Sequence, residues 1–360
     1  MNRIVVKIGS NVLTRGDGTL DVTRISALTD QIAILWRSGV QVVVVSSGAV
    51  ASGRGELAGR VLKLDPVSER QLFSAVGQIK LIDRYYNLFR EHGIACGQVL
   101  TTRTSLSTRR DYLNQKNCMD VMLSCGVVPI VNENDTISVT ELMFTDNDEL
   151  SGMVSTMMSA DALIILSNID GIFTGNPADP SSELIREITP DGGDLSGYIQ
   201  RTHSSFGRGG MLTKSRIARQ VAAEGIEVII ANGKREGILT EIVLKRGESE
   251  VPFTRFVPSA HPVSGVKKWI AHSGGFAKGE IHINARAVEA LCGTTAVSLL
   301  SVGVERVEGE FEKGDIVKVF APEGMQIGVG RVSTDSTHAR RNIGVKGSGT
   351  LVHYDYLYLY

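Results

Sequence analysis

Short apolar runs with little polar alternation punctuate the first part of the chain: Arg3–Ile8, Val40–Val45, Val127–Val131, Ala162–Leu166 and Ile226–Ile230. Such runs read as strands buried on both faces, the mark of a parallel sheet covered by helices. Between them, 3.6-residue spacing predicts helices over about 22–38, 68–92, 109–125, 147–160 and 211–225. Asp21 is placed to cap the first of these and Gly39 to stop it. Strand–helix alternation of this kind predicts an open, mainly parallel α/β sheet with helices on both faces. The strands end in Gly9-Ser10, Ser46-Ser47-Gly48, Asn132-Glu133-Asn134-Asp135, Ser167-Asn168 and Ala231-Asn232-Gly233. Ligands of open α/β sheets bind beyond the carboxyl ends of the strands, where these clusters lie.

The pattern changes near residue 250. Val251–Gly265 holds three prolines and little periodicity, and its later part reads as a linker. Beyond it come short alternating segments with Gly turns, among them Glu280–Ile283, Ser298–Leu300, Val307–Phe311, Asp315–Phe320 and Gln326–Arg331. They predict a small, mostly β domain. The expected division is a catalytic domain at 1–256, a linker at 257–266 and the β domain at 267–360. Four of the eight tyrosines fall at Tyr354, Tyr356, Tyr358 and Tyr360, a stripe on one face of a closing strand.

Composition narrows the function classes. The 360 residues are 42% hydrophobic and 21% charged, ample for packed cores. With 38 Lys+Arg against 39 Asp+Glu, bulk attraction to nucleic acid or an anionic membrane is absent. The four cysteines show no metal-ligand spacing and suit a reducing compartment. Lys7 interrupts the opening apolar run, and no run nears the ~18 residues of a membrane helix. A cytoplasmic location without membrane contact is expected. The seven histidines form neither a zinc-protease pattern nor a Ser/His/Asp arrangement, so zinc hydrolysis and triad chemistry have no support.

Four clusters offer chemistry. Lys7, at the end of the first strand before Gly9-Ser10-Asn11, suits a phosphate, although a lone strand-end lysine reads first as a side chain reaching solvent. It is no P-loop, because the G-x-x-x-x-G-K-[ST] spacing is missing. Ser46-Ser47-Gly48 combines hydroxyl donors with close backbone approach, and reads equally as an ordinary strand-to-helix turn. Asn132–Asp135 and Thr145–Ser151 gather acids and amides suited to an ammonium group, a divalent cation or the orientation of lysines. Finally, Phe206–Lys214 is a Gly-rich loop entering a helix with a lysine in its first turn, near Ser167-Asn168, an anion-binding arrangement or else a mobile surface loop. Two lysines at separate Gly loops beside a carboxylate cluster make phosphoryl transfer the leading reaction class.

The motifs Val6-Lys7-Ile8-Gly9-Ser10, Val45-Ser46-Ser47-Gly48-Ala49, Val131-Asn132-Glu133-Asn134-Asp135, Asp146-Asn147-Asp148-Glu149-Leu150-Ser151 and Gly209-Gly210-Met211-x-Thr213-Lys214 occur in that order. Together they resemble the amino acid kinase family, in particular its members that phosphorylate glutamate. From Lys268-Trp269-Ile270 through Gly309-x-Phe311-x-x-Gly314-Asp315 the chain resembles the PUA domain that many bacterial members carry. The resemblance implies an amino acid kinase-like α/β sheet sandwiched by helices, followed by a PUA-like barrel. It also implies ATP-dependent phosphorylation of the γ-carboxylate of L-glutamate, the first step of proline biosynthesis, with feedback inhibition by L-proline.

Carried over position by position, the resemblance assigns Lys7 and Lys214 to the transferring phosphoryl group and Asp148 to holding both lysines. It assigns Ser47, Asp135 and Asn147 to glutamate. To ATP it assigns Ser167, Asn168, Arg208, Gly209, Gly210, Met211, Leu212, Thr213 and Lys214. Mg²⁺ would ride on the nucleotide phosphates with no protein-side metal site, and a homodimer or homotetramer is expected. Two positions depart from the family pattern. Asn168 stands where an acid is usual, and Arg208 where a threonine is usual, which puts the nucleotide contacts of both in question. Other amino acid kinases, acting on acetylglutamate, aspartate, carbamate or a nucleotide, fit the Asn-Glu-Asn-Asp cluster and the β domain less well. RNA binding by the PUA-like part is not favoured: residues 265–360 carry 11 Lys+Arg against 10 Asp+Glu, without the basic footprint of a general RNA binder.

Overall fold

Arg3–Ile8 form the innermost strand, β1, because four β-branched residues there find cover on both faces: Ile4, Val5, Val6 and Ile8 have no exposed surface. Each such burial stabilises the fold by roughly 1.5–3 kcal/mol. The computed structural model describes residues 1–60, 63–106, 108–137, 147–190, 210–245, 248–260, 267, 269–270, 272–293 and 297–360. They divide into two compact units, Met1–Pro262 and Val263–Tyr360.

In the first unit β1 is followed by α1 (Ser10–Leu13), α2 (Val22–Arg37), β2 (Gln41–Ser46), α3 (Ala49–Glu56), α4 (Pro66–Glu91) and β3 (Ala95–Thr101). Then come α5 (Arg109–Ser124), β4 (Val127–Glu133), α6 (Asn147–Met157), β5 (Ala162–Ser167), β6 (Glu187–Ile188), α7 (Met211–Ala223), β7 (Glu227–Asn232), α8 (Ile238–Leu244) and β8 (Phe253–Phe256). The sheet order is β3-β4-β2-β1-β5-β7-β8-β6. From β3 to β7 all pairs are parallel, while β8 runs antiparallel to β7 and pairs in parallel with β6. Ile8 faces Ser46 on one side and Leu166 on the other, so the register brings the carboxyl ends of β2, β1 and β5 into line.

Local signals set the helix boundaries. The Asp21 carboxylate accepts from the Arg24 amide at the start of α2, and Gly39, at φ +86°, follows its end. Asp65 caps α4 with Pro66 at its first position. Three elements depart from the pattern reading. β3 is exposed at alternate positions along an edge, so it lacks the all-apolar signature of its neighbours. Residues 49–56 (Ala-Val-Ala-Ser-Gly-Arg-Gly-Glu) look like a loop by composition yet form α3, because glycines let α3 and α4 pack backbone to backbone. A Cβ on Gly77 would lie 1.9 Å from the Ala49 carbonyl oxygen, and one on Gly53 would lie 1.8 Å from that of Phe73. β8, in the proline-containing stretch, is a real strand because Phe256 fills the core there.

The second unit is mostly β: β9 (Gly279–Ile283), α9 (Ala285–Leu291), β10 (Leu299–Leu300), β11 (Val304–Gly309), β12 (Ile316–Phe320), β13 (Gln326–Val332), α10 (Ser336–Arg341) and β14 (Thr350–Leu359). Its six strands lie in the order β10-β14-β13-β12-β9-β11, antiparallel except for β9 beside β12. Among the described residues no ladder joins β10 to β11, so the sheet is a curled half-barrel. On β14, Leu357 enters the core while Tyr354 is exposed, as is Tyr360 just past the strand, and Arg331 lies 3.8 Å from the Tyr356 ring centroid. Among the described residues of both units, no helix is long and apolar enough to cross a membrane.

Candidate active site

β1 carries one charged side chain into the buried layer. Lys7 is only 4% exposed, and its Nζ lies 2.5 Å from Oδ1 of Asp148, in the first turn of α6. The other oxygen of Asp148 accepts from Lys214 Nζ at 2.9 Å. Lys214 reaches in from the first turn of α7, where the Gly210 carbonyl accepts its amide. Asp148 itself has no exposed surface. Burial alone would raise its carboxyl pKa. The charges of Lys7 and Lys214, with their hydrogen bonds, outweigh that and hold it below the ordinary carboxylate value. Two cations and one anion leave a net positive charge where the low dielectric magnifies it. Gly9 is small for a reason: a Cβ there would stand 3.1 Å from the Leu166 carbonyl and 3.5 Å from Lys7 Nζ.

Asn147 precedes Asp148 and ties this clamp to a polar cluster. Its Nδ2 group lies within hydrogen-bonding distance of the Ser46 carbonyl (3.1 Å), Ser47 Oγ (3.1 Å) and Asn132 Oδ1 (3.0 Å). Asn132 in turn donates to Gln78 Oε1 on α4 at 2.8 Å. These bonds fix which way each amide points, so the cluster presents a defined set of donors and acceptors. Gly48, at φ +107°, turns the chain from β2 into α3 with a backbone that other residues adopt only under strain. Below it, Ser46 Oγ and the buried Tyr85 hydroxyl are 2.9 Å apart, and burial pushes the phenol well above its ordinary pKa.

Asp135 sits just past β4 and is 6% exposed. Its Oδ1 accepts from Nε and Nη2 of Arg70 at 2.9 and 2.6 Å, and its Oδ2 accepts from Ser74 Oγ at 3.1 Å. Arg70 also stands 3.6 Å from Glu133. Glu149 pairs with Arg103, pinning the first turn of α6 to the segment after β3.

At the end of β5, Ser167 is buried and Asn168 exposed, their side-chain oxygens 3.4 Å apart. Gly210, Met211, Leu212 and Thr213 lead into α7, with Leu212 exposed. Arg208 and Gly209 lie outside the described residues. The geometry thus gathers Lys7, Asp148 and Lys214 in direct contact and joins Ser47 to Asn147. Asp135 connects to that pair through Asn132, along the Asn132–Asp135 segment and across Ser74 and Gln78 of α4.

Four participants have no place in the sequence reading of the site: Arg70, Ser74, Gln78 and Arg235. The first three lie four residues apart on α4, a polar line on a buried helix face, and that line is the signal available in the sequence. Arg235 makes a two-point contact with Asp170 at 2.6 and 2.8 Å, with Asn232 adding a third bond. The Arg235 bonds hold the Asp170 carboxyl below its ordinary pKa. Asp170 therefore acts as a tie between the loops after β5 and β7.

The acids nearest the lysines are paired with cations, Asp148 with Lys7 and Lys214 and Glu149 with Arg103. In the second unit, Glu280, His282 and Glu308 converge closely enough to hold a metal. Arg306 pairs with Glu308 at 2.9 Å and Lys318 approaches Glu280 at 3.7 Å, so the local charge there is already balanced.

Comparison with known proteins adds to this geometry. Residues 2–232 match the amino acid kinase family and residues 279–347 the PUA domain. The chain is 65% identical over 357 residues to the glutamate 5-kinase of Bacteroides thetaiotaomicron, covering 99% of this chain and 98% of the relative. It is 46% identical over 364 residues to that of Chlorobaculum tepidum, covering 99% and 97%. Among solved structures, an isopentenyl phosphate kinase superposes with a TM-score of 0.51 at 21% identity, over 71% of this chain and 100% of that one. At that identity the likeness concerns the fold alone.

Proposed function

The chain belongs to the amino acid kinase family, and from that premise we propose that it transfers the γ-phosphoryl group of ATP to the γ-carboxylate of L-glutamate. The product is L-glutamyl 5-phosphate, and the reaction opens proline biosynthesis. The observation that carries the reading is the pair of buried ammonium groups held side by side on one fully buried carboxylate. The full-length identity to curated glutamate 5-kinases supports the choice of acceptor.

The chemistry needs little from acids and bases. A γ-carboxylate is ionised at neutral pH, so no general base is required to make it a nucleophile. Its oxygen attacks the γ-phosphorus, the bond from that phosphorus to the bridging oxygen breaks, and ADP leaves with the electron pair. The barrier lies in bringing an anion against an anion and in charge spreading over the transferring group. Lys7 and Lys214 meet that need as preorganised cations, and Asp148 keeps them together when no substrate is bound. A magnesium ion carried on the nucleotide phosphates would supply further charge neutralisation. Ser47, Asn147 and Asp135 bind glutamate, while Ser167, Asn168 and residues 208–214 receive the nucleotide. Proline shares an α-carboxylate and an ammonium with glutamate, so it competes for the acceptor site as a feedback inhibitor.

The test is ATP consumption with Mg²⁺ and hydroxylamine, which traps an acyl phosphate as a hydroxamate. L-Glutamate is expected to give hydroxamate, and acetylglutamate, aspartate and a no-acceptor control little or none. Turnover with another acid in preference to glutamate would overturn the choice of acceptor.

A further inference from the structure

Arg70, Ser74 and Gln78 stand four residues apart on α4, and all three bond to the segment that begins at Asn132. Ser74 and Gln78 are nearly fully buried, whereas the Arg70 side chain is 25% exposed. A guanidinium has five N–H donors in a planar fork, and the described bonds of Arg70 engage Nε and Nη2. Asp135 is occupied in a complementary way. A carboxylate offers about four acceptor positions; two donors reach Oδ1 and one reaches Oδ2. Among the described residues no second donor reaches Oδ2, which can accept a further one.

Resting on the proposed function, we infer that Arg70 determines acceptor specificity: its free edge binds the α-carboxylate of the amino-acid acceptor while its bonded edge holds Asp135 for the α-ammonium. The local charge requires such a partner. Arg70 faces two carboxylates, Asp135 and Glu133, which attract an ammonium and repel a carboxylate that has no cation of its own. A planar fork facing the α-carboxylate removes that repulsion and supplies directional bonds. Acceptors that lack an α-carboxylate would leave this edge of Arg70 without its partner.

The test compares L-glutamate with 4-aminobutyrate, which is glutamate without its α-carboxylate. Competition against glutamate yields a dissociation constant for 4-aminobutyrate whether or not it is turned over. In R70Q the KM for glutamate should rise by about 10–100-fold, the range of a lost charge-assisted pair. The constant for 4-aminobutyrate should change by a clearly smaller factor, which reports only the lost support of Asp135, and the KM for ATP should stay unchanged. R70K keeps the charge but loses the fork, so glutamate should weaken less than in R70Q and again by a larger factor than 4-aminobutyrate. If glutamate and 4-aminobutyrate weaken by the same factor in both variants, Arg70 only positions Asp135 and the inference is wrong. Absence of glutamate-dependent turnover in the unmutated protein would instead overturn the proposed function, a separable result.

Discussion

Around Asp148 two ammonium groups share one carboxylate with almost no exposed surface, whereas around Asp135 one partly exposed guanidinium faces two carboxylates. Asn147 and Asn132 bridge these two regions through a 3.0 Å hydrogen bond. The difference teaches how one site can orient an amino acid that carries both signs of charge. On the proposed function, a side-chain carboxylate would be drawn to the lysine pair and the α-ammonium to the carboxylates beside Arg70. The regions also differ in what holds them. The lysine clamp draws on three elements distant in sequence, β1, α6 and α7, while the Asp135 cluster joins one helix, α4, to the end of β4.

The contrast can be broken hardest at the lysines. K7A and K214A should each lower kcat by about 10²–10³-fold or more, measured as hydroxamate formation, with the fold intact by circular dichroism. D148N should act on stability instead. It removes the buried carboxylate that Lys7 and Lys214 share, and denaturant unfolding should report a loss of about 3–5 kcal/mol at neutral pH.

The pH dependence of that loss has a definite sign. Asp148 has a depressed pKa in the folded protein, so its contribution is present above the unfolded value of about 3.9 and disappears as pH falls through the folded value. The stability gap between the unmutated protein and D148N should therefore be flat from about pH 5 to 8 and narrow only below about pH 4. A gap that closed near neutrality would contradict the assignment.

Two smaller changes probe the acceptor end. In G77A the new methyl meets the Ala49 carbonyl and the Gly53 amide. It should cost about 1–3 kcal/mol of stability and, by shifting α3 with the Gly48 turn, raise the KM for glutamate more than that for ATP. Q78A leaves the buried Asn132 amide short of an acceptor, a loss of about 1–3 kcal/mol. Its kinetic effect should be a several-fold rise in the KM for glutamate with kcat little changed. If Q78A moved kcat and the ATP KM instead, the division of labour between the two ends would be wrong.

Much of this was legible in the chain because strand burial and loop chemistry are local signals. The apolar runs at Arg3–Ile8 and Ala162–Leu166 announce strands covered on both faces, and polar residues bunched at their ends mark the functional edge. What was not legible depends on packing between distant segments. α3 exists because Gly53 and Gly77 let two helices touch, which no window containing only one of them reveals. β3 hides because an edge strand can expose alternate residues without penalty. At the site, Lys7 and Lys214 are 207 positions apart, and their convergence on Asp148 follows from sheet order. Arg70 lies on a helix whose amphipathic pattern accounts for its position without any ligand, so only the two-point bond to Asp135 singles it out.

Single-turnover phosphoryl transfer from ATP to L-glutamate, in the unmutated protein and in K7A, bears most directly on the lysine clamp. The expected result is glutamate-dependent acyl phosphate in the first. In K7A, both substrates should bind with affinities within a few-fold of normal, while the transfer step falls by about 10²-fold or more. A K7A protein that transfers at a near-normal rate, or that loses substrate binding while the chemical step survives, would contradict the account.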